Sequence, residues 1–125
     1  MRIVDAGVVV GLLVGGIDHE RLGDDELGAP HLIDSEVTHA LRGLVRRSAL
    51  SEDQGGVALR GFMALTLTRF PVTALRGRMW ELRHNLSGYD ATYVALTEAT
   101  GATDLVTTDA RLARAPGPRC RIELI

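Results

Sequence analysis

Apolar positions along this chain switch repeatedly between strand-like runs and helical spacing. Met1 to Val4 is a short β-branched run that stops at Asp5 and predicts a first strand. Residues 6–16 are almost wholly apolar and predict a buried helix, and the polar, glycine-containing segment 23–30 predicts a loop. From Leu32 to Arg47 the pattern is amphipathic, with Ile33, Val37, Leu41 and Leu44 on one face and Ser35, His39, Arg42 and Arg46 on another. Ser51 followed by Glu52 and Asp53 is a helix start, and the helix it opens fades near Thr68. Phe70 to Thr73 predicts a short strand. Leu75, Met79, Leu82 and Leu86 form the stripe of a fourth helix, and Ser87 with Asp90 predicts a capping box for a fifth that ends at Gly101. Asp104 to Thr107 predicts a strand, Asp109 a further turn of helix, Pro116 to Pro118 a sharp turn, and Arg121 to Ile125 the last strand.

Strands alternating with helices imply a three-layer α/β/α sandwich on a mostly parallel central sheet. With 125 residues the chain has room for one core, so residues 1–125 are expected to form one domain. The apolar stretch at 6–17 is shorter than the roughly 20 residues that span a bilayer, and Asp5 interrupts the approach to it. One cysteine, Cys120, fits a reducing compartment, so the expectation is a cytoplasmic protein without an internal disulfide or a cysteine-rich zinc site.

Charge narrows the chemistry. Every basic side chain other than histidine is arginine. The absence of lysine excludes a Walker A site, a Schiff-base site and the lysine that phosphatase-like and receiver-like aspartate sites require. Net charge is −2, with acids concentrated in residues 1–36 and arginines in residues 37–89. That balance disfavours tight non-specific nucleic-acid binding and permits an acidic pocket beside a basic rim. Gly11, Gly15 and Gly16 lack the spacing of a dinucleotide-binding loop.

Four carboxylates carry the candidate chemistry. Asp5 and Asp109 sit at or just after strand ends, where open α/β sheets build their sites. Asp90 shares a helix face with Tyr93, Val94 and Thr97, and Glu36 borders the apolar stripe beside Leu32, Ile33 and Ala40. Each also has a capping or surface explanation. Together they predict a converging acidic cluster that needs protons or a cation, because two carboxylates about 4 Å apart repel by about 4 kcal/mol at an effective dielectric of 20. Oxygen-only ligands favour Mg²⁺ or Mn²⁺ over zinc, and such an ion suits phosphate chemistry.

The segments Ile3 to Ala6, Pro30 to Val37 with Ala40 and Leu41, Trp80 to Leu96, and Leu105 to Leu112 resemble the PIN-domain family. They are similar in particular to the VapC-type toxins of bacterial toxin–antitoxin pairs. The resemblance runs from residue 2 to the C-terminus. It implies a Mg²⁺- or Mn²⁺-dependent endoribonuclease with Asp5, Glu36, Asp90 and Asp109 as its acidic quartet. It also implies a homodimer and a small VapB-type antitoxin whose tail enters the active-site groove, with DNA reached only through that antitoxin. The expected reaction is attack of a metal-activated water on an RNA phosphodiester, leaving a 5′-phosphate and a 3′-hydroxyl. Arg76, Trp80 and Arg83 are candidates for stacking on or pairing with RNA, and Arg111 for reaching a phosphate or neutralising the acids. The family often has serine or threonine two residues after its first aspartate, where this chain has Gly7. The alternative this raises is a PIN fold with weak or no catalysis, acting through its antitoxin.

Overall fold

A computed structural model describes residues 1–125. Five strands form one sheet in the order β3-β2-β1-β4-β5, and every neighbouring pair is parallel. The strands are β1 Arg2–Val4, β2 Leu27–Pro30, β3 Thr68–Phe70, β4 Leu105–Thr107 and β5 Ile122–Leu124. The helices are α1 Ala6–Val14, α2 Leu32–Arg46, α3 Glu52–Ala64, α4 Arg76–Glu81, α5 Gly88–Thr100 and α6 Ala110–Arg114.

Chain direction explains the layers. From β1 through β2 to β3 the chain steps one way across the sheet, and from β3 to β4 it returns past both. Right-handed crossovers therefore place α1, α2 and α3, which pack on one another, on one face and α5 on the other. The chain leaves β1 toward one edge and β4 toward the opposite edge. The β1–β4 gap is thus the switch point, where the crevice beyond the carboxyl ends of the strands opens.

One apolar core holds the layers together, with Ile3, Val4, Val8, Val9, Ile33, Val37, Val94, Leu105 and Val106 fully buried. Its polar exception lies at the start of the sheet. Arg2 donates two hydrogen bonds of 2.8 Å to the buried Asp104 carboxylate, reaches Glu123 and donates to the Leu22 carbonyl at 3.1 Å. This ties β1, β4 and β5 together at the end opposite the crevice.

Three expectations need correcting. The segment 23–30 contains β2 as well as a loop; its acids, glycines and Pro30 look loop-like. A Cβ on Gly28 would lie 2.9 Å from Met1 Sδ and 3.0 Å from Phe70, so side chains from the flanking strands fill the space that glycine leaves. The third strand lies at Thr68–Phe70 rather than 70–73, because α3 ends earlier, at Ala64, and Pro71 cannot donate to the ladder. The fourth helix stops at Glu81, so Leu82 and Leu86 reach the core from the turns that follow it. No helix is long and apolar enough to cross a membrane.

Candidate active site

Local chemistry fixes two of the four acids. Asp5 ends β1 and caps α1, its Oδ1 accepting from the Val8 amide at 2.9 Å. Asp109 follows β4 and caps α6, accepting from the Arg111 amide at 2.8 Å and the Leu112 amide at 3.4 Å. Capping and site-building are therefore not rival explanations. The cap holds each carboxylate still at the switch point, leaving further lone pairs for other partners. Asp90 sits in the first turn of α5, its amide donating to Ser87 Oγ at 3.1 Å, but its carboxylate returns no bond to the Ser87 amide. The capping box is half formed, unlike that of Ser51 and Gln54 in α3, where both bonds are present.

Glu36, one turn into α2, accepts a hydrogen bond of 2.6 Å from the Tyr93 hydroxyl across the site. Burial and the Glu36 carboxylate hold that phenol far above its ordinary pKa, so it stays protonated and keeps donating. Thr107, the last residue of β4 and fully buried, links the two capping acids. Its hydroxyl donates to Asp5 Oδ2 and accepts from the Asp109 amide at 2.9 Å. Sequence reading assigned roles to neither Tyr93 nor Thr107. The available signal was a buried hydroxyl on the same face as an acid, or two residues before one.

Electrostatics shows that the acids converge. Burial pushes the Asp5 carboxyl above its usual range, hydrogen bonds from Thr107 and Val8 pull it back, and the charges of Asp90 and Asp109 push it up again. Burial also raises Glu36, opposed by Tyr93 and assisted by Asp5 and Asp90. Asp90 is raised by burial and by Asp109, with Ser87 and Arg111 pulling the other way. Arg111 is thus the candidate cation that reaches the acids.

The other candidate contacts form a separate group on the α4 turn. Arg76 folds back onto the Thr73 carbonyl at 2.9 Å. Arg83 lies beyond the end of α4, where it stacks 4.4 Å from the centre of the exposed Trp80 ring and donates to the Trp80 carbonyl at 2.9 Å. The continuous helix face expected for Arg76, Trp80 and Arg83 does not exist, because α4 is too short to carry it.

Gly7 is explained by a neighbour. A Cβ there would fall 2.5 Å from Thr108 Oγ1 and 3.4 Å from Asp5 Oδ1. The Thr108 hydroxyl already occupies the space that a side chain at position 7 would need.

Asp5, Glu36, Asp90 and Asp109 act on one another's charge around the β1–β4 switch point. The PIN domain family model matches residues 2–118. This chain belongs to the PIN-domain family. Relatives place it in the VapC group. It is 40% identical over 126 residues to VapC ribonuclease Mb0985 of Mycobacterium bovis, covering 100% of this chain and 98% of that protein. It is 42% identical over 129 residues to ribonuclease VapC1 of Mycobacterium tuberculosis, covering 98% and 96%. Among solved structures, VapBC2 from Rickettsia felis, bound to a DNA fragment from the promoter, matches with a TM-score of 0.72 at 16% identity, covering 99% of this chain and 98% of that one. PAE2754 from Pyrobaculum aerophilum matches with a TM-score of 0.71 at 22% identity, covering 97% and 81%. These structural matches establish the PIN fold.

The donor chemistry of the four acids is of the kind a divalent ion takes. All four candidates offer oxygen, three are destabilised as anions, and none is neutralised by a lysine or a direct arginine ion pair. No three histidine, cysteine or carboxylate side chains stand close enough together in this arrangement to hold a metal ion. The arrangement is an open acidic rim rather than a preformed structural metal site.

Proposed function

We propose that this protein is a Mg²⁺- or Mn²⁺-dependent endoribonuclease, the toxin of a toxin–antitoxin pair. The observation that carries the reading is the convergence of Asp5, Glu36, Asp90 and Asp109 from four distant segments onto the β1–β4 switch point, with three of them pushed toward protonation by burial and by one another. Full-length relatives named as VapC ribonucleases support RNA as the substrate.

Asp5 and Asp90 would hold the ion directly, with Asp109 beside them and Glu36 either binding it or orienting the attacking water. When bound, the ion would supply an activated water and charge stabilisation at the scissile phosphate. The protein's own groups set the stage. Thr107 ties the Asp5 carboxylate to the Asp109 backbone, and Tyr93 holds Glu36 across the crevice as a hydrogen-bond donor that remains protonated. Arg111 offers a cation beside Asp90 for a phosphate oxygen.

The solved VapBC2 complex supports a VapB-type antitoxin as partner, with DNA engaged through it. The apolar side chains exposed on α3, Val57 and Met63, and on α1, Val14, suit protein contacts and are compatible with a homodimer. The test is cleavage of total RNA with Mg²⁺, with Mn²⁺ and with chelator, followed by mapping of RNA ends. Metal-dependent cuts leaving 5′-phosphates, lost in Asp5→Asn, are expected. Cleavage that survives Asp5→Asn or chelation would overturn the assignment.

A further inference from the structure

Two open cavities meet on the α2 surface beside the acids. One, of about 520 Å³, is lined by Leu32, Ser35, Glu36, His39 and Tyr89. The other, of about 370 Å³, lies between α1 and α2 and includes Ala6, Gly7, His39, Gly43 and Arg47 in its lining. His39 lines both, so the two cavities adjoin at that side chain, one beside Glu36 and the other further along the helix. Glu36, His39, Gly43 and Arg47 stand at helical spacings of three, four and four residues and share one stripe of α2. The stripe starts at a carboxylate and ends at the helix cap Arg47, whose backbone lies about 16 Å further on from the rise of roughly 1.5 Å per residue, and whose guanidinium reaches part of the way back.

The far end has an unspent cation. Arg2, Arg69 and Arg78 are held by Asp104, Asp34 and Glu98, whereas Arg47 has no carboxylate partner. Its guanidinium lies back over the helix, where a Cβ on Gly43 would sit 3.2 Å from Nη1, so glycine at 43 leaves room for the arginine to lie against the groove floor. No acid lines the α1–α2 cavity. A polyanion repelled by the carboxylates at one end is therefore attracted at the other, and the small apolar floor can lie against sugars and bases.

We propose that the α1–α2 groove is a binding track for single-stranded RNA flanking the scissile position, with His39 beside the acids and Arg47 contacting a phosphate a few nucleotides away. The track rests on reading the acids as an RNA-cutting site. Charge favours a polyanion here, since the cavity is lined by a cation and no anion, and RNA is the polyanion that the proposed activity brings to the adjoining acids.

The test uses a labelled RNA oligonucleotide centred on a mapped cleavage site, and shorter versions trimmed from either side. Fluorescence anisotropy in the Asp5→Asn background isolates binding from cleavage. Arg47→Gln should weaken binding of the long oligonucleotide 3- to 10-fold and reduce the slope of log affinity against log salt by about 0.7. Arg42→Gln, which removes the same charge from a face of α2 outside this groove, should do neither. In the cleaving protein, Arg47→Gln should raise KM on the long substrate with kcat retained. That effect should vanish on an oligonucleotide trimmed from one side. Equal effects of Arg47→Gln and Arg42→Gln, or no effect of either, would overturn the track. Weakened antitoxin binding with RNA binding intact would overturn it in favour of a peptide occupant. Absence of cleavage by the unsubstituted protein would sink the proposed activity instead, while the anisotropy comparison would still decide the track.

Discussion

Asp104→Ala should destabilise this protein more than any other substitution of a polar residue outside the acidic site. Asp104 is 2% exposed and Arg2 8% exposed, and the two are joined by paired bonds of 2.8 Å. Removing the carboxylate leaves a buried guanidinium with only the peripheral Glu123 and one carbonyl, and breaking a buried pair in this way costs about 3–5 kcal/mol. Total stability of a domain this size is about 5–15 kcal/mol, so the expected fall in Tm is on the order of 10–20 °C. Arg2→Leu with Asp104→Leu removes both charges and should cost far less than the sum of the single changes, because no orphaned ion remains. Acidity supplies a second check. Burial pushes the Asp104 carboxyl up, and the bonds and charge of Arg2 more than offset this, leaving it below its ordinary value. A depressed carboxylate pKa gives stability that is present above the unfolded value and lost as pH falls through the folded one. The gap between the unsubstituted protein and Asp104→Ala should therefore be full at neutral pH and shrink below the ordinary carboxylate range. Urea titrations between neutral pH and pH 3 would measure it. A single-substitution cost below about 1 kcal/mol, or a gap independent of pH, would refute the reasoning.

The acidic site carries the opposite sign. Asp5, Glu36 and Asp90 are raised, so the metal-free fold should lose stability as pH rises from the unfolded carboxylate values through the folded ones. Asp5→Asn keeps an acceptor for the Val8 amide and removes a charge but loses the acceptor for the Thr107 hydroxyl, so calorimetry without metal should show a Tm close to that of the unsubstituted protein, with the Mn²⁺-induced rise in Tm reduced. A clear drop in metal-free Tm would contradict the repulsion. For the same reason, Mn²⁺ affinity measured by titration calorimetry should weaken as pH falls, since protons and cation compete for the raised carboxylates. Tyr93→Phe leaves Glu36 without its donor. It should cost about 1 kcal/mol in stability and lower kcat by about tenfold on mapped RNA; unchanged kcat would make Tyr93 a packing residue only. Gly7→Ala offers up to about 1 kcal/mol of helix propensity, but its methyl meets Thr108 Oγ1 at 2.5 Å. The gain should appear in a Thr108→Ala background and be largely lost with Thr108 present. Equal gains in both backgrounds in urea melts would show that the two positions are independent.

Much of the architecture was legible because its signals are local. The apolar stripe of α2, the serine caps of α3 and α5, and the β-branched runs of β1 and β4 are set within a few residues of each element. Strand β2 was hidden because its glycine and proline speak for a loop, and only neighbours on both sides account for Gly28. The candidate acids could be nominated from strand ends and helix faces, which are also local. Their convergence was expected from those positions and from the family resemblance, but how they are arranged depends on the return across the sheet that sets β4 parallel beside β1 over about a hundred residues. Only the tertiary structure supplies Tyr93 to Glu36, Thr107 to both capping acids and Thr108 to the space beside Gly7. The sequence by itself determined which residues could form elements and carry charge, since those properties are intrinsic to side chain and spacing. The tertiary structure decided which charges lie near one another and which are buried, and burial and proximity raise Asp5, Glu36 and Asp90 above the ordinary carboxylate range.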